Sequence, residues 1–192
     1  KSVADSSGRV MRVFGRTKCI HDEVLKQQVL HSQSDIDQMT NLYHNNFLVT
    51  QIKEKMKASA FDSKHTLILV EIDQFNKIVE QNGHSCGDIV IQKVSALFQQ
   101  TVERLSVFGR KGNEKFMAYV EDEDDDMIDE KMKEFLSMLL LPENQVADIS
   151  IKCSVGVATI VGPTEYEEIY EKADEALYLA KVTKGTDYIR VS

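Results

Sequence analysis

The chain has 192 residues, 42% hydrophobic and 28% charged, which is enough for one domain with a sizeable core and excludes a disordered or collagenous polymer. Acidic residues outnumber basic ones, 31 to 23, and the net charge of −8 argues against general binding to nucleic acid or anionic membrane, whose phosphates it would repel. No apolar run approaches the ~18–20 residues of a membrane helix.

Lys1 stands where a start methionine would, with no signal-peptide pattern, so the chain reads as a piece of a longer protein. Cys19, Cys86 and Cys153 are odd in number and far apart. They suit a reducing, cytoplasmic compartment better than a disulfide framework or a zinc knuckle. Residues 8–20 alternate as a strand does, and 21–33 carry the narrow Leu25/Val29 stripe of a short coiled-coil connector. From residue 35 helix and strand alternate. Residues 41–60 predict a helix with Phe47, Ile52 and Met56 as its apolar points. The run TLILVEI (66–72) predicts a central strand buried on both faces. Helices are expected over 74–81 and 88–104, the latter with Ile91, Val94, Phe98 and Val102 on one face. Residues 105–109 and 115–120 read as strands around RKGNE, whose Gly-Asn pair signals a tight hairpin with a left-handed backbone. A helix over 125–140 and a strand over 149–159 follow. Thr164 with Glu167 predicts a capping box opening a helix that buries Ile169, Ala173, Ala176, Leu177 and Ala180. Residues 187–191 close as a strand. The acidic run EDEDDD (121–126) reads as a solvated loop ahead of a helix, and His84 as a turn-packing residue. His21, His31, His44 and His65 are too scattered to suggest a metal cluster. The element order predicts an α+β domain, one sheet flanked by helices.

Four segments resemble one family. EIDQFNKIVEQNGHSCGD (71–88) is similar to Asp-Ile-Asp-x-Phe-Lys-x-Ile-Asn-Asp-x-x-Gly-His-x-x-Gly-Asp. FGRKGNEKF (108–116) is similar to Arg-Tyr-Gly-Gly-Asp/Glu-Glu-Phe. SVGVA (154–158) with ADEALYLAK (173–181) matches a third block, and DQMTNLYHN (37–45) is a worn copy of the opening one. This resembles the GGDEF domain of bacterial diguanylate cyclases, over residues 35–191, with GNEKF as a degenerate signature. The resemblance implies a nucleotidyl-cyclase palm-like fold with a mostly antiparallel central sheet. It also implies domains at 1–20 (the last strand of a PAS-like sensor), 21–34 (a signalling linker helix through which a homodimer would form) and 35–192 (the degenerate GGDEF domain).

The family joins two GTP molecules into cyclic di-GMP, each 3′-hydroxyl attacking the other's α-phosphate, and uses divalent metal to neutralise phosphate charge. By resemblance, Glu71, the backbone carbonyl of Ile72 and Glu114 are the metal positions for Mg²⁺. Glutamate at 71 moves the carboxylate outward by roughly 1.5 Å, which weakens the site; both glutamates read equally as ordinary charged strand ends. Gly112 and Asn113 fall on the paired glycines, where backbone N–H groups approach a triphosphate. The Asn113 amide projects where phosphate would lie, and Lys115 reverses a charge beside the metal. RKGNE also reads as a plain hairpin. Val79 replaces the asparagine that bonds guanine, a loss of about 1–3 kcal/mol. Asp88 matches its companion, or caps a helix starting there. Lys181 and Arg110 match phosphate-binding and hairpin-flanking positions, and one inserted residue in KVTKGTDY (181–188) unsettles a second basic contact. Glu103 and Ser106 stand where the family's product-inhibition site has Arg and Asp, so feedback there is not expected. Changes at Glu71, Val79, Asn113 and Lys115 would together lower turnover by roughly four decades at about tenfold each. The implied function is a signalling module that binds GTP or dimerises with little or no catalysis; the alternatives are a weakly active cyclase using Glu71, Glu114, Lys181 and Arg110, or a scaffold that binds no nucleotide.

Overall fold

The run read as a buried strand is the axis of the molecule. In the computed structural model, which describes residues 2–4, 10–13, 35–103, 106–146, 149–183 and 187–192, the chain divides into two units, 1–34 and 35–192. In the first, β1 (Ser2–Ala4) pairs antiparallel with β2 (Val10–Val13). The connector predicted over 21–33 lies outside the described residues.

The second unit is built on a six-stranded sheet ordered β3-β5-β6-β4-β7-β8. Its strands are β3 (Tyr43–His44), β4 (Lys64–Ile72), β5 (Ser106–Arg110), β6 (Lys115–Glu121), β7 (Cys153–Val161) and β8 (Tyr188–Val191). The four central strands pair antiparallel, while β3–β5 and β7–β8 at the two edges are parallel. Five helices cover the sheet: α1 (Asn45–Ala58), α2 (Phe75–Asn82), α3 (His84–Val102), α4 (Asp125–Leu139) and α5 (Tyr166–Val182). The α+β expectation holds, as does the mostly antiparallel sheet.

Period-2 alternation divides β4 between two cores. Ile68, Val70 and Ile72 meet Val90, Val94 and Phe98 of α3 and Phe135 of α4. Leu67 and Leu69 meet Leu48 and Ile52 of α1 and Ile169, Ala173 and Leu177 of α5. The apolar face expected of α5 is the buried one, but α1 buries Leu48 rather than Phe47, whose ring instead lies tilted against that of Tyr43, with centroids 4.8 Å apart.

Several local expectations change. Helix α3 begins at His84 after Gly83 (φ 85), so Asp88 is an exposed second-turn residue and not a cap. His84 is itself exposed rather than packed. Helix α5 starts at Tyr166 with no side-chain cap; Thr164 Oγ1 donates instead to Glu168 Oε2 at 3.0 Å. The strand expected from 149 begins at Cys153. The acidic run is more than a solvated loop. Asp124 caps α4 through the amides of Asp126 and Met127, and Asp122 accepts from the Lys64 amide at 2.7 Å. Asp125 pairs with Lys64 and Arg190.

Candidate functional site

Glu71 lies near the C-terminal end of β4, and alternation places it on the α5 face with Leu67 and Leu69. In register it stands opposite Lys115 of β6 and Ser154 of β7. Lys115 shares that face with Met117 and Tyr119, so a carboxylate and an ammonium meet as a cross-strand pair, Lys115 Nζ 3.1 Å from Glu71 Oε2. Helix α5 crosses the same face, and Lys181, one turn beyond Leu177, brings its Nζ to 2.5 Å from Glu71 Oε1. Each oxygen of Glu71 therefore holds its own ammonium. Burial opposes charge on Glu71, but the hydrogen bonds from Lys181 and Lys115 prevail and hold its pKa below the ordinary value. Burial likewise opposes the Lys115 ammonium, and Glu71 more than compensates, raising its pKa. Asp174 stands 3.8 Å from Lys115, and Lys111 lies over the Tyr170 ring at 4.8 Å.

The hairpin is held from below. Arg110 Nε donates to the carbonyls of Gly112 (3.0 Å) and Asn113 (3.2 Å), and Nη2 donates to Asn113 at 2.7 Å. Its Nη1 pairs with both oxygens of Asp37 at 3.1 and 3.2 Å. Arg110 thus acts on the hairpin itself. Neither Gly112 nor Asn113 adopts positive φ, so the left-handed turn expected there is absent. The space above Gly112 is open, since a Cβ built there meets nothing within 4 Å.

Two clefts adjoin this strand end. One, of about 490 Å³, lies between α2, α3 and the hairpin; Val79, His84, Asp88, Arg110, Asn113 and Glu114 line it. Glu114 precedes Lys115 by one residue, in the bend ahead of β6, and lines this cleft, which Glu71 does not. The other, of about 920 Å³, is lined by Asp73, Lys77, Lys152, Ser154, Lys181 and Asp187, among others. There Ser154 Oγ donates to Asp73 Oδ1 at 2.8 Å. Burial, reinforced by Asp187 and Glu71, raises the Asp73 pKa against the pull of Ser154 and Lys181.

Mg²⁺ demands oxygen ligands at about 2.0–2.1 Å in a near-ideal octahedron. Glu71 already binds two cations, and Glu114 lines the hairpin cleft apart from it, so the side chains as arranged do not fit that ion. The backbone of Ile72 faces Glu114, whose carbonyl accepts its N–H at 3.0 Å. Among the described residues no three of His, Cys, Asp or Glu gather as metal ligands.

Residues 34–187 match the family described as diguanylate cyclase, GGDEF domain. The chain belongs to the GGDEF family. Curated relatives include diguanylate cyclase DosC of Escherichia coli K12, 27% identical over 161 residues covering 82% of this chain and 35% of that protein. Diguanylate cyclase DgcS of Shewanella oneidensis is 23% identical over 174 residues, covering 85% of this chain and 55% of that one. The chain thus spans about a third to a half of these relatives. Among solved structures, the GGDEF domain of DgcB from Caulobacter crescentus, in complex with c-di-GMP, superposes with a TM-score of 0.73 at 21% identity over 82% of this chain and 96% of that one. The FimX GGDEF domain from Pseudomonas aeruginosa gives 0.71 at 16% identity over 82% and 99%. Both likenesses establish the fold.

Within this GGDEF domain the motif residues fall into two groups. Glu71, Lys115 and Lys181 meet on the α5 face, and Val79, Asp88, Arg110, Asn113 and Glu114 line the hairpin cleft. Gly112 is exposed at the hairpin tip. The inserted segment lies partly outside the described residues, as does the Ser106 side chain; Glu103 is exposed at the end of α3. Sequence reasoning missed Asp37, Asp73, Ser154 and Asp174. Each had a signal, its place in one of the four motif segments.

Proposed function

We propose that this GGDEF domain is a catalytically impaired member of its family that binds guanine nucleotide as a regulatory module of cyclic di-GMP signalling in the bacterial cytoplasm. The observation that carries the reading is the double ion pair on Glu71, which neutralises the carboxylate at the family's metal position. Relatives named as diguanylate cyclases, and a similar fold holding c-di-GMP, support the signalling context. The cleft beside Asp88 and Val79 offers room for a base but, at Val79, no hydrogen-bonding group. Lys181, in the cleft beside Lys77 and Lys152, is suited to phosphate. Residues 1–20 are read as the end of a PAS-like sensor and 21–34 as the linker that joins two copies and transmits its state.

The test is incubation with GTP and Mg²⁺ followed by nucleotide chromatography. GTP is expected to be recovered intact, and steady accumulation of cyclic dinucleotide would overturn the reading.

A further inference from the structure

We infer that the Lys115–Glu71–Lys181 cluster binds the polyphosphate of a nucleoside triphosphate without a divalent cation, the Lys115 ammonium standing in for the ion. The inference deepens the nucleotide-binding reading above and rests on it. A divalent ion beside a triphosphate supplies positive charge that the carboxylates hold in place. Here the same carboxylate holds positive charge that is part of the chain. Glu71 fixes Lys115 from one oxygen and Lys181 from the other, at 3.1 and 2.5 Å. An ammonium has three N–H donors and spends one on this contact. Both lysine side chains remain 36% exposed, whereas Glu71 is 11% exposed, so the cluster presents its cations outward and its anion inward.

The surroundings carry both signs. Lys181 also lines the 920 Å³ cleft with Lys77 and Lys152, and Lys111 lies on the other flank, over Tyr170. Asp73, Asp174 and Asp187 are the acids nearby. A metal ion entering this site would have to displace two lysines from one carboxylate. A phosphate group entering it meets donors already oriented, and charge-assisted contacts of that kind are the strong ones.

Calorimetric titration of GTP in EDTA and again in excess Mg²⁺ tests this. The expected result is binding in EDTA that weakens in excess Mg²⁺, which ties up free GTP, as linkage requires when no ion belongs to the complex. Lys115→Met is expected to weaken binding in EDTA about tenfold, the loss of one charge-assisted contact, and Lys115→Arg to retain it. Lys115→Glu should make binding depend on Mg²⁺. Thermal melts of each variant identify any that fail to fold, and the wild-type comparison stands without them. Binding only in Mg²⁺ would overturn the inference and leave the nucleotide reading intact. Unchanged affinity of a folded Lys115→Met in EDTA would remove Lys115 from the role. Absence of binding in both buffers would overturn both readings.

Discussion

Gly156 of β7 and Leu177 of α5 touch backbone to backbone: a Cβ built on Gly156 would lie 2.2 Å from the Leu177 amide nitrogen and 2.5 Å from the carbonyl oxygen of Ala173. The contact lets α5 lie flat on the sheet, and Lys181, one turn further on, reaches Glu71 from that seat. Gly156→Ala forces helix and strand apart and is expected to cost about 3 kcal/mol, the upper range for overpacking. Urea unfolding should show a lower midpoint at unchanged slope.

Asp37 provides a pH signature. Burial opposes its charge, but the hydrogen bonds from Thr40 and the Arg110 guanidinium prevail and keep its pKa below the ordinary value. A carboxyl with a depressed folded pKa contributes stability that is complete above the unfolded value, about 3.9, and is lost as pH falls through the folded one. Asp37→Asn should cost about 1 kcal/mol at neutral pH for a partly exposed pair. The gap between wild-type and variant melting temperatures should narrow below about pH 4. A gap independent of pH would contradict the assignment.

Buried away from the motif residues, His65 Nδ1 and Tyr119 Oη lie 2.7 Å apart, and burial pushes the Tyr119 pKa up to about 12. Tyr119→Phe leaves a buried imidazole nitrogen without that partner, at a cost of about 1–2 kcal/mol. Replacing His65 by Phe as well should recover part of the loss, which a double-mutant cycle by thermal denaturation would measure.

Arg190 fastens the last strand. It donates to Asp129 Oδ1 from Nε at 2.7 Å and to Thr159 Oγ1 at 2.6 Å, while the Tyr188 hydroxyl bonds the same aspartate. Arg190→Met strands a half-buried carboxylate and is expected to cost about 2 kcal/mol. Hydrogen exchange should quicken first at the β8 amides.

What the sequence conveyed depended on range. The β4 run and the α5 stripe are local periodicities, and tertiary packing agreed with both. Leu48 was passed over for Phe47 because both fit a helical face and only the neighbouring strand selects between them. The caps at His84 and Tyr166 were misplaced because a Gly at positive φ and an uncapped Glu165 start those helices, where Asp and Thr looked the better choices. Motif resemblance located Glu71, Lys115 and Lys181 singly. Their union depends on β4–β6 register and on the seat of α5, across a separation of 110 residues between Glu71 and Lys181, which no local pattern encodes. Arg110 is legible in the sequence as a hairpin-flanking residue, but not that its donors turn back to the carbonyls of that same hairpin.

That inward-turned arginine also touches the start of the second unit. Asp37 grips Arg110, Arg110 grips the carbonyls at the hairpin tip, and Gly109 passes so close beneath Tyr43 that a Cβ there would lie 2.3 Å from its carbonyl oxygen. The opening residues, the edge of the sheet and the loop bearing Asn113 are therefore riveted into one piece.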